Sequence, residues 1–264
     1  MNLNLEKKQV FITGGSRGIG LAVAKAFARE GADIAIGARN QEHVEVEAKN
    51  IQKNYKVKAI GIAMDVTNPD DIENARKIIE KIFGGVDILI NNAGTGTEET
   101  IMEAPDEKWY QIWDLHVMAA IRTARAFIPY MRKRGGGVII NTSSVCATQP
   151  LWYEPIYNTT KAALSMMTKC LANEVIKDNI RVNVISPGLI LTPDWWKTAK
   201  ILAEKEGITP KEYLDRIAIE NAPIGRFASP EELAETYVFL SSEKASYSVG
   251  STYYVDGGWI NVVK

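Results

Sequence analysis

The sequence predicts an α/β protein: one doubly wound parallel sheet of about seven strands with helices on both faces. Three observations carry that prediction. Short apolar, β-branched runs alternate with helical patterns along the whole chain. Several runs are continuously apolar rather than alternating, as parallel strands covered on both faces require. The first run, Val10-Phe11-Ile12, leads through a glycine loop straight into a helical pattern, which is how a βαβ unit starts.

Taken in order, strands are expected at 9–13, 33–37, 57–63, 86–90, 138–142, 181–185 and 252–255. Helical periodicity fills 18–30, 41–54, 69–83, 106–134, 156–177 and 230–241. Asn68-Pro69 and Ser229-Pro230 read as helix starts, an N-cap residue followed by proline at the first helical position. No linker divides residues 1–264, so a single domain is expected. The irregular stretch is 189–228, which holds Trp195, Trp196 and two short helical patterns at 194–206 and 210–220. A long insertion after a strand end is a candidate substrate lid.

Composition narrows the function classes. With 31 basic and 32 acidic residues the net charge is −1, so neither nucleic acid nor an anionic membrane surface is an expected partner. No apolar stretch reaches the roughly 18 residues of a membrane span. Two cysteines, Cys146 and Cys170, make no disulfide framework and suit a reducing compartment. With no basic region and apolar run at the N-terminus, a cytoplasmic location is expected. Two cysteines and two histidines at scattered positions make no zinc site, so no metal is expected.

The glycine loop reads Thr13-Gly14-Gly15-Ser16-Arg17-Gly18-Ile19-Gly20. Missing side chains let a backbone turn tightly and approach a pyrophosphate at a helix N-terminus. Its spacing is G-x-x-x-G-x-G rather than the commoner G-x-G-x-x-G. Further along, Tyr157 and Lys161 lie four residues apart on one helical face, with Ser144 thirteen residues upstream. An ammonium beside a phenol favours the phenolate, drawing a group of reference pKa about 10 toward neutral exchange. Alone, Y-x-x-x-K occurs on many surface helices; it gains weight from the glycine loop.

With Asp65-Val66, Asn91-Asn92-Ala93-Gly94 and Ser186-Pro187-Gly188 with Thr192 added, in this order and at these intervals, the chain resembles the short-chain dehydrogenase/reductase family. The resemblance runs from about residue 8 to residue 260 and implies a Rossmann-type fold. Within the family the chain resembles the 3-oxoacyl-[acyl-carrier-protein] reductase-like members.

The resemblance implies where a dinucleotide lies. Gly14, Ser16, Arg17, Gly18, Ile19 and Gly20 would hold the phosphates, and Asp65 and Val66 the adenine. Asn92, Ala93 and Gly94 would close the fourth strand against the cofactor. Pro187, Gly188, Ile190 and Thr192 would meet the nicotinamide end. Ala38 stands where NAD-using relatives carry aspartate, and Arg39 follows it. A guanidinium suits a 2′-phosphate in charge and shape, so Arg39, helped by Arg17, favours NADP(H) over NAD(H).

The same resemblance makes Ser144 the holder of the substrate oxygen and Tyr157 the proton carrier. Lys161 lowers the tyrosine pKa and binds the nicotinamide ribose. The thirteen-residue interval favours Ser144 over Ser143. One departure stands out: His116 occupies the place of the family's asparagine. An imidazole there could bind a relay water and titrate near neutral pH, altering the pH profile. It could also merely fill space, or break the relay.

For the substrate, the resemblance brings Trp152, Tyr153, Trp195 and Trp196 to the mouth. Such an aromatic lining suits an apolar or cyclic ketone better than a free sugar, although Glu154 leaves room for a polar handle. The expected function is NADP(H)-dependent interconversion of a ketone and a secondary alcohol, with a 3-oxoacyl thioester as the first candidate substrate. A cyclic or aromatic ketone is the second, and a non-catalytic NADPH-binding sensor or assembly protein the alternative from another class. A homotetramer, or a homodimer, is expected from the family.

Overall fold

A computed structural model describes residues 2–261. Seven strands form one parallel sheet: β1 (Gln9–Thr13), β2 (Asp33–Ala38), β3 (Ala59–Ala63), β4 (Ile88–Asn91), β5 (Gly137–Thr142), β6 (Ile180–Pro187) and β7 (Thr252–Val255). Their spatial order is β3-β2-β1-β4-β5-β6-β7. The order reverses between β1 and β4, which opens the ligand crevice at the strands' carboxyl ends. The glycine loop leaves β1 there and the 92–94 turn leaves β4.

Both faces are covered. On one, α1 (Gly18–Arg29), α2 (Gln41–Tyr55) and α9 (Pro230–Ser241) pack on Val10, Ile12, Ile34, Ile36, Ile88, Ile90, Val138 and Ile140. On the other, α3 (Pro69–Phe83), α5 (Ala119–Lys133) and α6 (Pro155–Val175) pack on Phe11, Ala35, Leu89, Ile139 and Val182. Successive strand residues face opposite layers, and both layers are apolar. That double burial makes the strands read as unbroken hydrophobic runs.

The expected helix over 106–134 is three pieces in the fold: α4 (Asp106–Trp113), a π-helical turn (Asp114–Met118) and α5. Such widened turns concentrate at functional sites, and this one contains His116. Strand β3 begins two residues later than expected. Lys56 sits in the left-handed region at φ 58° to end α2, so the chain is still turning there. Asn68 and Ser229 cap α3 and α9 as predicted. Asn68 Oδ1 accepts from Asp70 N at 3.0 Å, and Ser229 pairs reciprocally with Glu232.

The stretch 189–228 leaves and returns through one narrow neck. Leu191 N donates to Ala228 O and Ala228 N to Leu189 O, both at 2.9 Å. Between them lie α7 (Pro193–Glu206) and α8 (Pro210–Asn221). They share a small core of Ala199, Ala203, Tyr213 and Leu214, joined by Trp195 and Phe227. Among the described residues no helix is long and apolar enough to cross a membrane.

Candidate active site

The glycine loop is built around two features a side chain would spoil. Gly14 holds φ +66°, and a Cβ there would sit 3.0 Å from Ala93 Cα. A Cβ on Gly20 would run into the carbonyl oxygen of Gly14. The loop is pinned to the neighbouring strand end. Asn92 Nδ2 donates to the carbonyls of Thr13 at 3.1 Å and Gly14 at 3.3 Å. Thr13 Oγ1 accepts from the amides of Asn92 and Ala93 at 3.0 and 3.2 Å. The Thr13 hydroxyl thus sets the spacing between β1 and β4, a role the sequence did not reveal.

Ser16, Gly18 and Ile19 line the start of α1, with Gly18 at φ +53°. Arg39 is exposed at the end of β2 and has no ion-pair partner among the described residues. Its charge reaches Asp65. Burial works against the Asp65 carboxylate, but bonds from Thr67 N at 2.9 Å and Thr67 Oγ1 at 2.7 Å, with Arg39, hold it below its ordinary pKa. Val66 is buried beside it. Arg17 is engaged elsewhere, 3.2 Å from Asp194 in the first turn of α7. Pro187 and Gly188 end β6, Ile190 forms the neck of the excursion, and Thr192 precedes α7. A backbone-lined cradle with a free guanidinium beside it fits a phosphorylated dinucleotide.

Ser144, Tyr157 and Lys161 come together at the carboxyl end of β5. Ser144 Oγ accepts from Cys146 N at 3.2 Å. Lys161 is 4 % exposed; its Nζ donates to Thr142 O at 2.8 Å and lies 5.5 Å from the Tyr157 ring centre. Burial pushes the Tyr157 phenol above its ordinary pKa, against a lowering bond to Ser144. Burial draws Lys161 down to about 8. The expectation is that Lys161 lowers the phenol; in the fold desolvation is the largest influence on it, and the direction is upward.

His116 is buried and fully bonded. Its Nε2 accepts from Thr95 N at 3.2 Å. The ring proton is thereby assigned to Nδ1, which donates to Thr160 Oγ1 at 2.9 Å. Thr160 Oγ1 in turn donates to the Tyr157 carbonyl at 3.1 Å, and the two rings meet edge-on at 5.5 Å. Burial first, and the Lys161 charge second, drop the imidazole to about 2. It is neutral throughout the physiological range, so the expected titration near pH 7 does not occur. His116 ties the turn after β4 to the helix bearing Tyr157.

The four aromatic residues expected at the mouth separate. Trp152 is 83 % exposed, with Tyr153 edge-on at 5.5 Å. Trp195 turns into the core of the 189–228 excursion, 5.1 Å from Phe227, while Trp196 is exposed. An apolar mouth is thus thinner than the residue count suggested. Glu154, expected near the mouth as a possible polar handle, precedes α6. It is half-buried, and burial followed by repulsion from Glu99 and Glu98 raises its carboxyl to about 7. Burial, and after it the Glu154 charge, lift Tyr153 to about 12. Among the described residues no cluster of three or more His, Cys, Asp or Glu side chains could hold a metal.

Comparison with known proteins agrees with this geometry. Residues 14–260 match a family model described as enoyl-(acyl carrier protein) reductase. The chain is 34 % identical to 3-oxoacyl-[acyl-carrier-protein] reductase of Vibrio cholerae, over 97 % of this chain and 98 % of that one. It is 33 % identical to D-beta-hydroxybutyrate dehydrogenase of Cupriavidus necator, over 97 % and 99 %. Among solved structures, L-sorbose reductase from Gluconobacter frateurii, complexed with NADPH and L-sorbose, superposes at a TM-score of 0.98. Its sequence is 56 % identical, and the match covers 100 % of both chains. The chain belongs to the short-chain dehydrogenase/reductase family and is an NADP(H)-dependent oxidoreductase acting on CH–OH groups.

Proposed function

We propose that the chain reduces a polyhydroxylated ketone of the ketose class to the corresponding polyol, with NADPH as reductant. The observation that carries this reading is Glu154. Among the described residues no hydrogen-bond or ion-pair partner meets the half-buried Glu154 carboxyl, three residues before Tyr157. An apolar ketone would leave it desolvated and unpaired, which is costly. A substrate hydroxyl would satisfy it. The 56 % identity to a reductase solved with NADPH and L-sorbose supports the same substrate class.

In this reading the glycine loop cradles the pyrophosphate, and Arg39 meets the 2′-phosphate. Arg17 assists once drawn from Asp194. Asp65 and Val66 receive the adenine, and Asn92, Ala93 and Gly94 carry the backbone past the ribose. Pro187, Gly188, Ile190 and Thr192 flank the carboxamide, and Lys161 the nicotinamide ribose. The bound cofactor supplies the hydride to the carbonyl carbon. Ser144 Oγ donates a hydrogen bond to the carbonyl oxygen, and Tyr157 transfers its phenolic proton to that oxygen as it becomes an alkoxide. A phenol kept protonated by burial is the correct form for this direction. The Lys161 ammonium, 5.5 Å from the ring, faces the phenolate that results. The 189–228 excursion serves as the lid, and Tyr153 with Trp196 borders the mouth.

Exposed Met166 on α6, Tyr247 ahead of β7 and Tyr254 within it suit the homotetramer the family leads one to expect. The test of function is the initial rate of NADPH oxidation across ketoses, 3-oxoacyl thioesters, and cyclic and aromatic ketones. A ketose is expected to give the highest kcat/KM. A thioester as best substrate would overturn the ketose reading and restore the first expectation from sequence.

A further inference from the structure

The helix that carries Tyr157 is capped by a residue from another segment. Helix α6 starts with Glu154 at its N-cap position and Pro155 next, yet the Glu154 side chain makes no cap bond. Glu99, in the loop between β4 and α4, accepts the amide N–H of Ile156 on Oε1 at 3.2 Å. Its own amide donates to the Tyr153 carbonyl at 3.1 Å. The Glu99 side chain is 5 % exposed. Thr97 Oγ1 donates to Oε1 at 3.0 Å, and the Lys108 ammonium sits 2.7 Å from Oε2. A carboxylate accepting an orphan first-turn amide is favourable by hydrogen bonding and by the helix dipole.

The consequence falls on Glu154. A short side-chain acceptor at an N-cap ordinarily bonds an amide of the first turn. Here Glu99 has taken that place, and among the described residues the Glu154 carboxyl has no bonding partner; it lies beside Gly96, where a Cβ would be 3.6 Å from Glu154 Oε1. The groups facing Glu154 are Glu98 and Glu99 from the loop, Cys146 from the turn after β5, and Tyr153 and Tyr157 on either side in sequence. Lys108, on α4, pairs with Glu99 and brings a cation to that cluster.

We propose that Glu99 is a positioning residue for the reaction: its carboxylate caps α6 in place of Glu154, fixing the Tyr157 turn and leaving Glu154 free to meet the substrate. The second half rests on the ketose reading; the capping half does not. Glu99 also acts on Glu154 by charge, because a buried anion close by opposes its ionisation.

Two variants separate these effects. In Glu99→Ala, hydrogen exchange at the Ile156 amide should quicken about five- to tenfold, and kcat should fall about tenfold as the Tyr157 turn loosens. In Glu99→Gln the amide oxygen can still accept from Ile156, so exchange and kcat should stay within about twofold of the parent. The inflection in KM against pH, however, should move to lower pH, because Glu154 has lost a negative neighbour. Unchanged exchange and kcat in Glu99→Ala would overturn the cap. An unmoved KM inflection in Glu99→Gln, where Glu154→Gln abolishes it, would overturn the electrostatic coupling. If the parent turns over no ketose, the ketose reading fails by itself, and the exchange measurement still decides the cap.

Discussion

The cofactor half and the substrate half of this crevice are held together differently. Between β1 and β4 each contact joins backbone to one of two short side chains: Thr13 Oγ1 accepts from the amides of Asn92 and Ala93, and Asn92 Nδ2 donates to the carbonyls of Thr13 and Gly14, all at two strand ends. Around Tyr157 the contacts are side chains reaching across the chain. Thr95 meets His116, His116 meets Thr160, Glu99 meets Ile156, and Gln149 meets residues 259 and 261. The first arrangement can serve any dinucleotide-dependent chemistry. The second can be rebuilt one side chain at a time, so a family can keep its reaction while changing its substrate.

Tyr157→Phe should give the largest effect and the cleanest separation of the halves. Loss of a positioned proton donor should lower kcat by roughly 10²–10⁴, while the NADPH Kd stays near the parent value. An equal loss in both quantities would show that the phenol also holds the cofactor. The pH profile adds a sign. Lys161, drawn down to about 8, loses its charge as pH rises through that value. Ketone reduction should therefore decline above about pH 8, and no inflection near 6.5 should come from His116, which is neutral throughout. Rates from pH 5.5 to 9.5 check both statements.

Gly20→Ala attacks the other half. Its methyl would meet the Gly14 carbonyl, and overpacking of this kind costs about 1–3 kcal/mol. A fall in Tm of roughly 3–10 °C is expected, with NADPH binding weakened and KM for the ketone little changed at saturating cofactor. Arg39→Ala is milder and more selective. Removing a charged donor from a phosphate costs about 1.5–3 kcal/mol, so NADPH should bind at least about tenfold less tightly while NADH is unaffected. Isothermal titration with both cofactors measures the difference; an equal loss for NADH would remove Arg39 from the 2′-phosphate site.

The two halves also differ in how far they could be read from sequence. Glycine spacing, Asn68-Pro69 and Ser229-Pro230 carry their meaning locally, because a cap or a tight turn involves neighbours within four residues. The strand order comes from the fold itself; the doubly wound sheet followed from the alternation of strands and helices, and the meeting of Ser144, Tyr157 and Lys161 from the family resemblance. The π-helical turn at His116 did not, since helical periodicity over 106–134 is nearly the same with one widened turn. Trp195 looked like a mouth residue and is core of the excursion, because one aromatic on an amphipathic helix suits either side. Arg17 carries the local pattern of a phosphate ligand, and its pairing with Asp194 depends on how α7 packs. Glu99, 57 positions before the amide it caps, carries no signal in its own neighbourhood.

Gln149 is where the substrate half should yield most gently. Its side-chain amide acts as a short strand: Oε1 accepts from Asn261 N at 3.1 Å and Nε2 reaches Trp259 O at 3.4 Å. The Trp259 ring packs in the cluster of Leu189, Ala218 and Ala222, with Trp195 and Phe227. The C-terminal segment thereby joins the loop preceding Glu154 to the base of the helical excursion. Thr148 adds a parallel tie to Tyr254 at 2.9 Å. Each bond is exposed or half-exposed and worth about 0.5–1.5 kcal/mol, and none touches Ser144, Tyr157 or Lys161. Gln149→Ala should therefore raise KM for the ketone about three- to tenfold and leave kcat and NADPH affinity within about twofold. A matching fall in kcat would mean that the loop's position is felt at Tyr157 itself. The substrate half would then be as rigidly coupled as the cofactor half, and the contrast between them would collapse.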